Sequence, residues 1–317
     1  MSPPTQGMVS VVVPVYGCVG CLEDLADRVE TVLATAGRPF ELVLVDDASP
    51  DRSWERIVEL ARTRDWLRGV RLTRNFGQHY AISAGIEHAV GDVVVIMDCD
   101  LQDPPEEIPR LLDALRDDAE VVFASRADRN DPPLKRLGSW GFSRLLSWLT
   151  GVRQDHTTAN FGAYTRKVVD AINAMPERER CFPLMVKWTG FKATTLAVQH
   201  AGRTHGSSGY NLRRLLRLAS GIVLSYSDKP LRIVVTLGLL FALAAFSMAL
   251  LSIARYLQGD IQVAGFTSIV ASIWMVGGVS LFCLGIIGLY LGRVFVDAKR
   301  RPYYLVAGTV NLPERAS

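Results

Sequence analysis

The chain has 317 residues, of which 49% are hydrophobic and 21% are charged, and its formal net charge is +3 at pH 7. This length predicts about two domains, and so small a net charge argues against nucleic acid as a partner. The charge is unevenly distributed. Residues 1–230 carry most of it, whereas Ile233–Ala254 and Val263–Gly292 carry none.

Strands and helices alternate through the first part of the chain. Runs of β-branched residues that end in turn residues predict strands, and apolar residues at helical spacing predict helices between them. The predicted strands are Ser10–Val15, Glu41–Val45, Gly69–Leu72, Asp92–Met97 and Glu120–Ala124, and the predicted helices are Leu22–Ala36, Ser53–Arg64, Tyr80–Ala89 and one that starts near Pro104. This alternation predicts an α/β domain with a mainly parallel sheet.

The pattern loosens after the fifth strand. Two further strands are predicted at Phe161–Tyr164 and Lys192–Val198, and an amphipathic helix at Leu134–Leu149. Asn211–Tyr226 combines arginines with leucines, which is typical of a helix that lies in the membrane interface. An ordinary surface helix is the alternative, but the nearness of the first uncharged run favours the membrane.

The two uncharged runs each exceed the ~20 residues that cross a bilayer core, so both are predicted to be transmembrane helices. Buried helices of a soluble core are the alternative. Basic residues flank the pair on its outer sides, namely Arg213, Arg214, Arg217, Lys229 and Arg232 before it and Arg293, Lys299, Arg300 and Arg301 after it. The connection Gln258–Gln262 contains no Lys or Arg, so the positive-inside rule predicts that both flanks are cytoplasmic. The N-terminal MSPPTQG has no apolar signal-peptide segment, which agrees.

The sequence thus predicts a multi-pass protein of the inner (plasma) membrane with four parts. Residues 1–210 form a cytoplasmic α/β domain, 211–230 an interfacial helix, 231–293 two transmembrane helices and 294–317 a cytoplasmic tail. The second run contains Gly285, Gly288 and Gly292, and such small residues permit close helix packing. That packing is either within the chain or in a homo-oligomer.

The chain has five cysteines, and an odd number in a cytoplasmic setting argues against disulfides. Cys18 and Cys21 form a C-x-x-C pair after the first strand, for which a redox or zinc role stays open. No second pair is present to complete a zinc site. Cys283 lies within the second uncharged run and is expected to serve packing.

The most informative stretch is Val93–Asp103, VVVIMDCDLQD, in which a buried-strand pattern ends abruptly in acidic residues. Ligands of open α/β sheets lie at the carboxyl ends of strands. Asp98 and Asp100 flank one residue, so both carboxylates can reach a common ligand, and Gln102 adds a neutral oxygen. Mg²⁺ and Mn²⁺ take oxygen ligands and keep substrate phosphates among them. A solvated acidic turn is the alternative, because Asp is common in turns.

Two other nucleotide-binding patterns are missing from the sequence. No G-x-G-x-x-G follows the first strand, which argues against a dinucleotide cofactor, and no G-x-x-x-x-G-K-[ST] is present, which argues against a P-loop enzyme. Acidic residues do recur at a second strand end, at Asp46 and Asp47. The acidic residues at the ends of the strands are therefore the main indication of function in this sequence.

Four segments together carry a family resemblance: VVVPVYG, LVLVDDASPD, NFGQHYAISAGIEHAVGD and MDCDLQDPPEEIP. They resemble inverting family 2 glycosyltransferases of the GT-A fold, and most of all the polyprenyl-phosphate glycosyltransferases. That group includes dolichyl-phosphate mannose synthases and bacterial undecaprenyl-phosphate sugar transferases. The resemblance covers about residues 9–230, and the two uncharged runs match the bacterial group. The Q-x-x-R-W motif of processive polysaccharide synthases is absent, which favours transfer of a single sugar.

The resemblance implies roles for the matching residues. Nucleotide binding falls to Pro14, Tyr16, Asp46, Asp47 and Asp98, and a Mg²⁺ or Mn²⁺ site falls to Asp98, Asp100 and Gln102. The acceptor phosphate would be held by Arg126, Arg136, Arg203 and Ser208, and the catalytic set would be Asp100, Asp155, Arg126 and Arg136. One loop departs from the family pattern R-x-x-G-x-S-K-Y. It reads RTHGSSGY here, so Gly209 replaces a lysine that would contact phosphate.

The implied reaction moves one sugar from a nucleotide sugar to polyprenyl (undecaprenyl or decaprenyl) phosphate at the cytoplasmic membrane face, for modification of cell-envelope glycans. UDP-glucose is the default donor, and galactose, aminoarabinose and other sugars stay open. The acceptor phosphate has a second pKa of ~6, so it is mostly ionised without a strong base, and Asp155 would orient the acceptor or metal. A nucleotidyltransferase is the rival enzyme. A membrane adaptor with a vestigial domain is the non-enzyme rival, but both carboxylates of the acidic motif are present.

Overall fold

A computed structural model of the chain describes residues 7–115, 119–126, 158–198, 229–257 and 265–312. The chain divides into two compact units. The first comprises Met1–Arg144, Val152–Tyr210 and Pro302–Ser317, and the second comprises Leu145–Gly151 and Asn211–Arg301.

The first unit is built on one eight-stranded sheet with the order β7-β5-β6-β4-β1-β2-β3-β8. The strands are β1 Val9–Val15, β2 Phe40–Asp46, β3 Leu67–Leu72, β4 Val93–Ile96, β5 Val121–Arg126, β6 Thr158–Thr165, β7 Ala193–Val198 and β8 Val306–Val310. Four of the seven strand pairings are parallel, and the three antiparallel ones involve β6 or β8. The predicted α/β fold with a mainly parallel sheet is confirmed.

Helices connect the strands and cover both faces of the sheet. They are α1 Leu22–Thr35, α2 Ser53–Ala61, α3 Gln78–His88, α4 Ile108–Ala114, α5 Arg166–Asn173 and α6 Phe182–Trp188. Side chains alternate across a strand, so Val11 and Val13 of β1 enter one apolar core and Val12 enters the other. The strands at the centre of the sheet are therefore apolar at nearly every position, as the runs in the sequence required.

The first four strands lie within one or two residues of the predicted bounds. Helices α5 and α6 were not predicted, and the strand predicted at Phe161–Tyr164 extends over all of β6. The helices predicted at Leu134–Leu149 and Asn211–Tyr226 lie outside the described residues.

The segment after the last helix returns to the sheet. β8 pairs antiparallel with β3, Val70 opposite Thr309, and so forms one edge. The Tyr304 hydroxyl donates a hydrogen bond to the Glu87 carboxylate on α3. The sequence assigned residues 294–317 to a tail, and Val306–Val310 of that tail forms an edge strand of the sheet.

The second unit contains two long helices in contact with each other, α7 Lys229–Leu257 and α8 Phe266–Ala298. By length and apolar composition, one helix in the described part of the chain suffices to cross a membrane, over Met275–Ala298. A shorter apolar stretch covers Leu231–Phe241 of α7. The two predicted transmembrane helices are thus present as helices, and one of them meets the criterion for a span.

Candidate active site

The predicted site residues that the structure describes follow strands whose carboxyl ends lie at one edge of the sheet. β4, β1 and β2 are adjacent and parallel, with Val12 opposite Ile96 and Val15 opposite Asp46, so their carboxyl ends lie side by side. The acidic residues that follow β2 and β4 therefore meet the loop that follows β1. Such an edge is where α/β sheets bind ligands.

The loop after β1 is fastened to the loop after β2. Tyr16 is 54% exposed. The Gly17 amide donates to Ser49 Oγ (3.2 Å), and the Val19 amide donates to Asp51 Oδ2 (3.1 Å). Gly17 has a φ of +69°, in the left-handed region that favours glycine. Pro14 lies within β1 and is buried. Of Pro14 and Tyr16, which are both among the residues predicted to bind the nucleotide, Tyr16 is therefore the accessible one.

Asp46 is fully buried, and its carboxylate has protein partners. Oδ1 accepts a hydrogen bond from the Ser49 amide (3.1 Å), and Oδ2 lies 3.6 Å from Nε of Arg71. Burial of a carboxylate is tolerated where charge and hydrogen bonds compensate it. Asp46 thus braces the turn after β2.

Asp47 ties β2 to α3. Its two oxygens accept hydrogen bonds from the Phe76 and Gly77 amides, both at 2.8 Å. Burial raises the pKa of the Asp47 carboxyl, although these two amides act in the opposite direction. The structure therefore gives Asp46 and Asp47 bracing contacts at the edge of the site, and their predicted contact with a nucleotide stays a prediction.

The Asp98 carboxylate is held from α3. Nε2 of Gln78, at the first position of α3, donates a hydrogen bond to Asp98 Oδ1 (2.7 Å). The Asp100 carboxylate accepts a hydrogen bond from the Gln102 amide (3.2 Å), which makes a turn of Asp100–Gln102. All three residues of the predicted metal set lie in one half-buried turn after β4.

These ligand types fit a hard divalent cation. Mg²⁺ is commonly bound through one or two carboxylates together with substrate phosphates, so a two-carboxylate turn suffices for a shared site. Among the described residues, no group of three or more His, Cys, Asp or Glu side chains gathers around one point. A fully protein-made metal cage is therefore not seen in that part of the chain.

Two residues next to the acidic motifs have unusual backbone conformations. Ala48 follows Asp47 with a φ of +53°, and Leu101 follows Asp100 with a φ of +59°. A left-handed conformation costs a non-glycine residue roughly 1–2 kcal/mol. Such residues concentrate at functional sites, where the surrounding structure holds them. The surrounding structure therefore holds the turns after β2 and β4 in a backbone conformation that Ala48 and Leu101 do not favour by themselves.

The prediction that the cysteines form no disulfide is wrong. Cys18, after β1, is bonded to Cys99, which lies between Asp98 and Asp100, with their Cα atoms 6.5 Å apart. The C-x-x-C spacing places Cys21 closest to Cys18 in the sequence, but Cys21 is a free thiol. The pairing depends instead on β1 and β4 being neighbours, because each bonded cysteine lies three residues beyond the last residue of its strand.

The predicted acceptor residues are only partly described. Arg126 is the last residue of β5, whose carboxyl end lies at the same edge as that of β4 because β5 and β4 both run antiparallel to β6. Arg136, Asp155, Arg203 and Ser208 lie outside the described residues, as does the loop with Gly209.

Sequence reasoning missed two partners of the acidic motifs. Gln78 stands in the segment NFGQHYAISAGIEHAVGD, in which no residue was given a role, and Arg71 stands in β3. The signal in the sequence is only the residue type, an amide or a guanidinium that can donate a hydrogen bond to a carboxylate. Neither could be matched to its carboxylate without the strand order.

The chain is similar to known proteins over nearly all of its length. The family described as glycosyl transferase family 2 matches residues 10–172 of the chain. An undecaprenyl-phosphate 4-deoxy-4-formamido-L-arabinose transferase from Klebsiella pneumoniae (strain 342) is 35% identical, over 99% of this chain and 97% of that protein. The protein of the same name from Pseudomonas aeruginosa (strain LESB58) is 38% identical, over 98% of this chain and 92% of that protein.

Among solved structures, glucosyl-3-phosphoglycerate synthase from Mycobacterium tuberculosis superposes with a TM-score of 0.49 at 17% sequence identity. The superposition covers 69% of this chain and 78% of that chain.

Proposed function

Because this chain belongs to glycosyltransferase family 2, among the polyprenyl-phosphate glycosyltransferases, we propose that it transfers one sugar from a nucleotide sugar to a polyprenyl phosphate. The observation that carries the proposal is the convergence of Tyr16, Asp98 and Asp100 at the carboxyl edge of the sheet. The relatives match nearly the whole chain, including the long helices. The reaction therefore takes place at a membrane, where its lipid acceptor is found.

The donor would bind across the ends of β1, β2 and β4. Tyr16 would contact the nucleotide, and Asp98, Asp100 and Gln102 would hold Mg²⁺ or Mn²⁺. That metal would neutralise charge on the leaving diphosphate. Asp46 and Asp47 would keep the loops around the nucleotide in place through the amides that they bind.

The acceptor would approach from the side of β5. Arg126, Arg136, Arg203 and Ser208 are proposed to hold its phosphate, and charge-assisted hydrogen bonds offset the repulsion between two anionic substrates. A phosphate oxygen with a pKa of ~6 needs no strong base, so Asp155 would orient the acceptor. Direct attack inverts the anomeric carbon, and an α-linked donor would give a β-linked product.

Two donors are candidates. UDP-glucose is the default from the sequence, whereas both curated relatives are named as 4-deoxy-4-formamido-L-arabinose transferases. Their identity over nearly the full chain favours the formamido sugar. A purified preparation of the full chain should be given each nucleotide sugar in turn with undecaprenyl phosphate, and the lipid product identified by mass.

The metal-dependent transfer has a direct test. Asp100→Ala should abolish the lipid product, and a chelator should do the same to the unchanged protein until Mg²⁺ or Mn²⁺ is restored. Asp170→Ala is the matched control, because Asp170 lies on α5 with its side chain 63% exposed. Full transfer in the chelator would contradict the metal site. Release of pyrophosphate would instead support a nucleotidyltransferase, and no turnover with any donor would support an adaptor.

We propose that α7 and α8 both cross the membrane, with the connection between them outside. β8 follows α8 and pairs with β3, so the chain leaves the first unit and later returns to it. A chain that starts and ends on one side crosses a membrane an even number of times. If α8 crosses, α7 is the described helix that makes the second crossing.

Cysteine labelling tests this topology. Asp260→Cys, in a chain without its five native cysteines, should react with an impermeant thiol reagent added to intact cells. Ser317→Cys in the same chain should react only after lysis. The reverse pattern would place the α/β unit outside and overturn the topology.

A further inference from the structure

The loop after β1 and the acidic turn after β4 are covalently joined. The Cys18–Cys99 disulfide connects positions 81 residues apart in the sequence. Cys18 stands two residues after Tyr16, and Cys99 stands between the two carboxylates of the acidic motif. The bond therefore spans the interval in which the donor nucleotide is proposed to bind.

The carboxylates on either side of Cys99 both accept hydrogen bonds. Asp98 Oδ1 accepts a hydrogen bond from Gln78, and Asp100 Oδ1 accepts one from the Gln102 amide. The Cys18 amide lies 3.4 Å from Ser53 Oγ, and the loop that contains it is fixed by Ser49 and Asp51. A bond from this fastened loop to Cys99 thus restrains the backbone between Asp98 and Asp100.

We propose that Cys18 and Cys99 form a reversible oxidation site that controls donor binding, the disulfide being the form with weaker affinity for the metal and nucleotide. In the oxidised form the acidic turn is tied to the loop after β1. In the reduced form the two loops adjust separately, so Asp100 can turn toward a metal and a diphosphate beside Asp98, which Gln78 holds. A ligand that binds one form better shifts the population toward that form.

The chemistry balances as thiol–disulfide exchange. A low-molecular-weight disulfide accepts two electrons and two protons from the Cys18 and Cys99 thiols, giving the intramolecular disulfide and two small thiols. A dithiol reductant reverses the reaction and itself becomes a cyclic disulfide. In a reducing compartment the thiols persist, and oxidising conditions close the bond.

Cys21 provides the matched control. It is the nearest cysteine in sequence to Cys18, it is a free thiol, and it ends the short 3-10 turn that leads into α1. Cys21→Ser removes a thiol from the same part of the chain without breaking the bond. Cys18→Ser and Cys99→Ser each break it, from opposite ends.

The inference rests on the proposed function, since UDP with Mn²⁺ is the probe of the site. The full chain in detergent is treated either with oxidised glutathione or with dithiothreitol. Peptide mapping after alkylation then reports the Cys18–Cys99 bond, and calorimetry reports the Kd of UDP in the presence of Mn²⁺. Oxidation should weaken binding by about tenfold, the scale of one charge-assisted contact. Cys21→Ser should respond like the unchanged chain, and both Cys18→Ser and Cys99→Ser should keep the reduced-form Kd in either reagent.

Several results would overturn the inference. One is the absence of a Cys18–Cys99 peptide after oxidation, and another is an equal or tighter Kd in the mapped disulfide form. A redox response that persists in Cys18→Ser would assign the effect to other thiols. Absence of UDP binding in both redox forms is a different failure, because it removes the proposed donor site itself and with it any control of that site.

Discussion

The side-chain amide of Gln78 donates a hydrogen bond to Oδ1 of Asp98 across 2.7 Å. Gln78 begins α3, and Asp98 begins the acidic motif that follows β4, so this contact joins two elements at the carboxyl edge. It orients one of the two carboxylates proposed to hold the metal. Partners of ligating carboxylates commonly tune metal affinity in this way.

Removal of this contact should weaken metal binding more than it weakens the fold. Gln78→Ala loses a hydrogen bond to a charged group, worth about 1.5–3 kcal/mol at most, so Mn²⁺-dependent UDP binding should fall by about tenfold. Gln78→Glu should be worse, because it brings a second carboxylate to Asp98. Calorimetry gives the affinity, and thermal unfolding gives the control. Wild-type affinity in Gln78→Glu would contradict a positioning role.

The strands around this contact were readable from the sequence because each is a β-branched run with a sharp polar end. β1, β2 and β4 were predicted in that way, and so was the acidic edge that they share. Helix α6 was missed because it has only seven residues, FPLMVKW, too few to show a helical period. The β8 strand, VAGTV, is short, and its partner lies more than 230 residues earlier in the chain.

The partners of the site residues could not be predicted because they too lie far away in the sequence. Asp47 bonds to amides about 30 residues away, and Cys18 bonds to a residue 81 positions away. Such pairings follow from strand order, which one sequence does not reveal. The residue types at the edge were thus predictable, and their contacts were not.

Asn311 is predicted to secure the edge strand β8. Its Nδ2 donates to the carbonyl oxygens of Ala61 (2.7 Å) and Leu67 (3.1 Å), and its φ is +55°. Asn311→Gly should lose about 1–3 kcal/mol of unfolding free energy through the unpaired carbonyls. Asn311→Ala should lose roughly 1–2 kcal/mol more, because alanine is strained in the left-handed region. Equal melting temperatures for the two variants would contradict the backbone part of this prediction.

His79 is predicted to make the fold sensitive to mild acid. Burial lowers the pKa of its imidazole from 6.5 to about 4, and Nδ1 is buried with no hydrogen-bond partner in the described part of the chain. A base whose pKa is depressed by folding contributes stability above its unfolded pKa and loses it as the pH falls. The loss should therefore run from about pH 6.5 to pH 4 and reach no more than about 3 kcal/mol, at about 1.4 kcal/mol per pKa unit.

The comparison of wild type with His79→Gln isolates this group, because all other titrating groups are shared. Thermal unfolding should be measured across that pH range for both proteins. The wild type should lose more stability toward pH 4 than the variant does. Parallel curves would show that the imidazole is not held neutral by the fold.

The last prediction separates acceptor binding from donor binding. Arg126 ends β5, and two strand spacings of about 4.8 Å separate β5 from β4, so its backbone lies roughly 10 Å across the sheet from the acidic motif. That interval suits a residue that contacts the acceptor phosphate while the donor diphosphate occupies the metal turn. Arg126→Ala should then lose a charge-assisted contact of about 1.5–3 kcal/mol, which is about a ten- to hundredfold loss of efficiency.

The loss should appear in kcat/KM with polyprenyl phosphate as the varied substrate, while the Kd of UDP in the presence of Mn²⁺ stays within about twofold. Arg62→Ala is the matched control, since Arg62 is an exposed arginine that directly follows α2. It lies toward the amino ends of the parallel strands, away from the carboxyl ends that form the site. It should leave both quantities unchanged. If Arg126 serves only a surface ion pair, for instance with Asp128, Arg126→Ala should resemble this control. A large loss of UDP affinity would instead move Arg126 to the donor diphosphate, because a residue that binds only the acceptor has no contact with the free donor to lose.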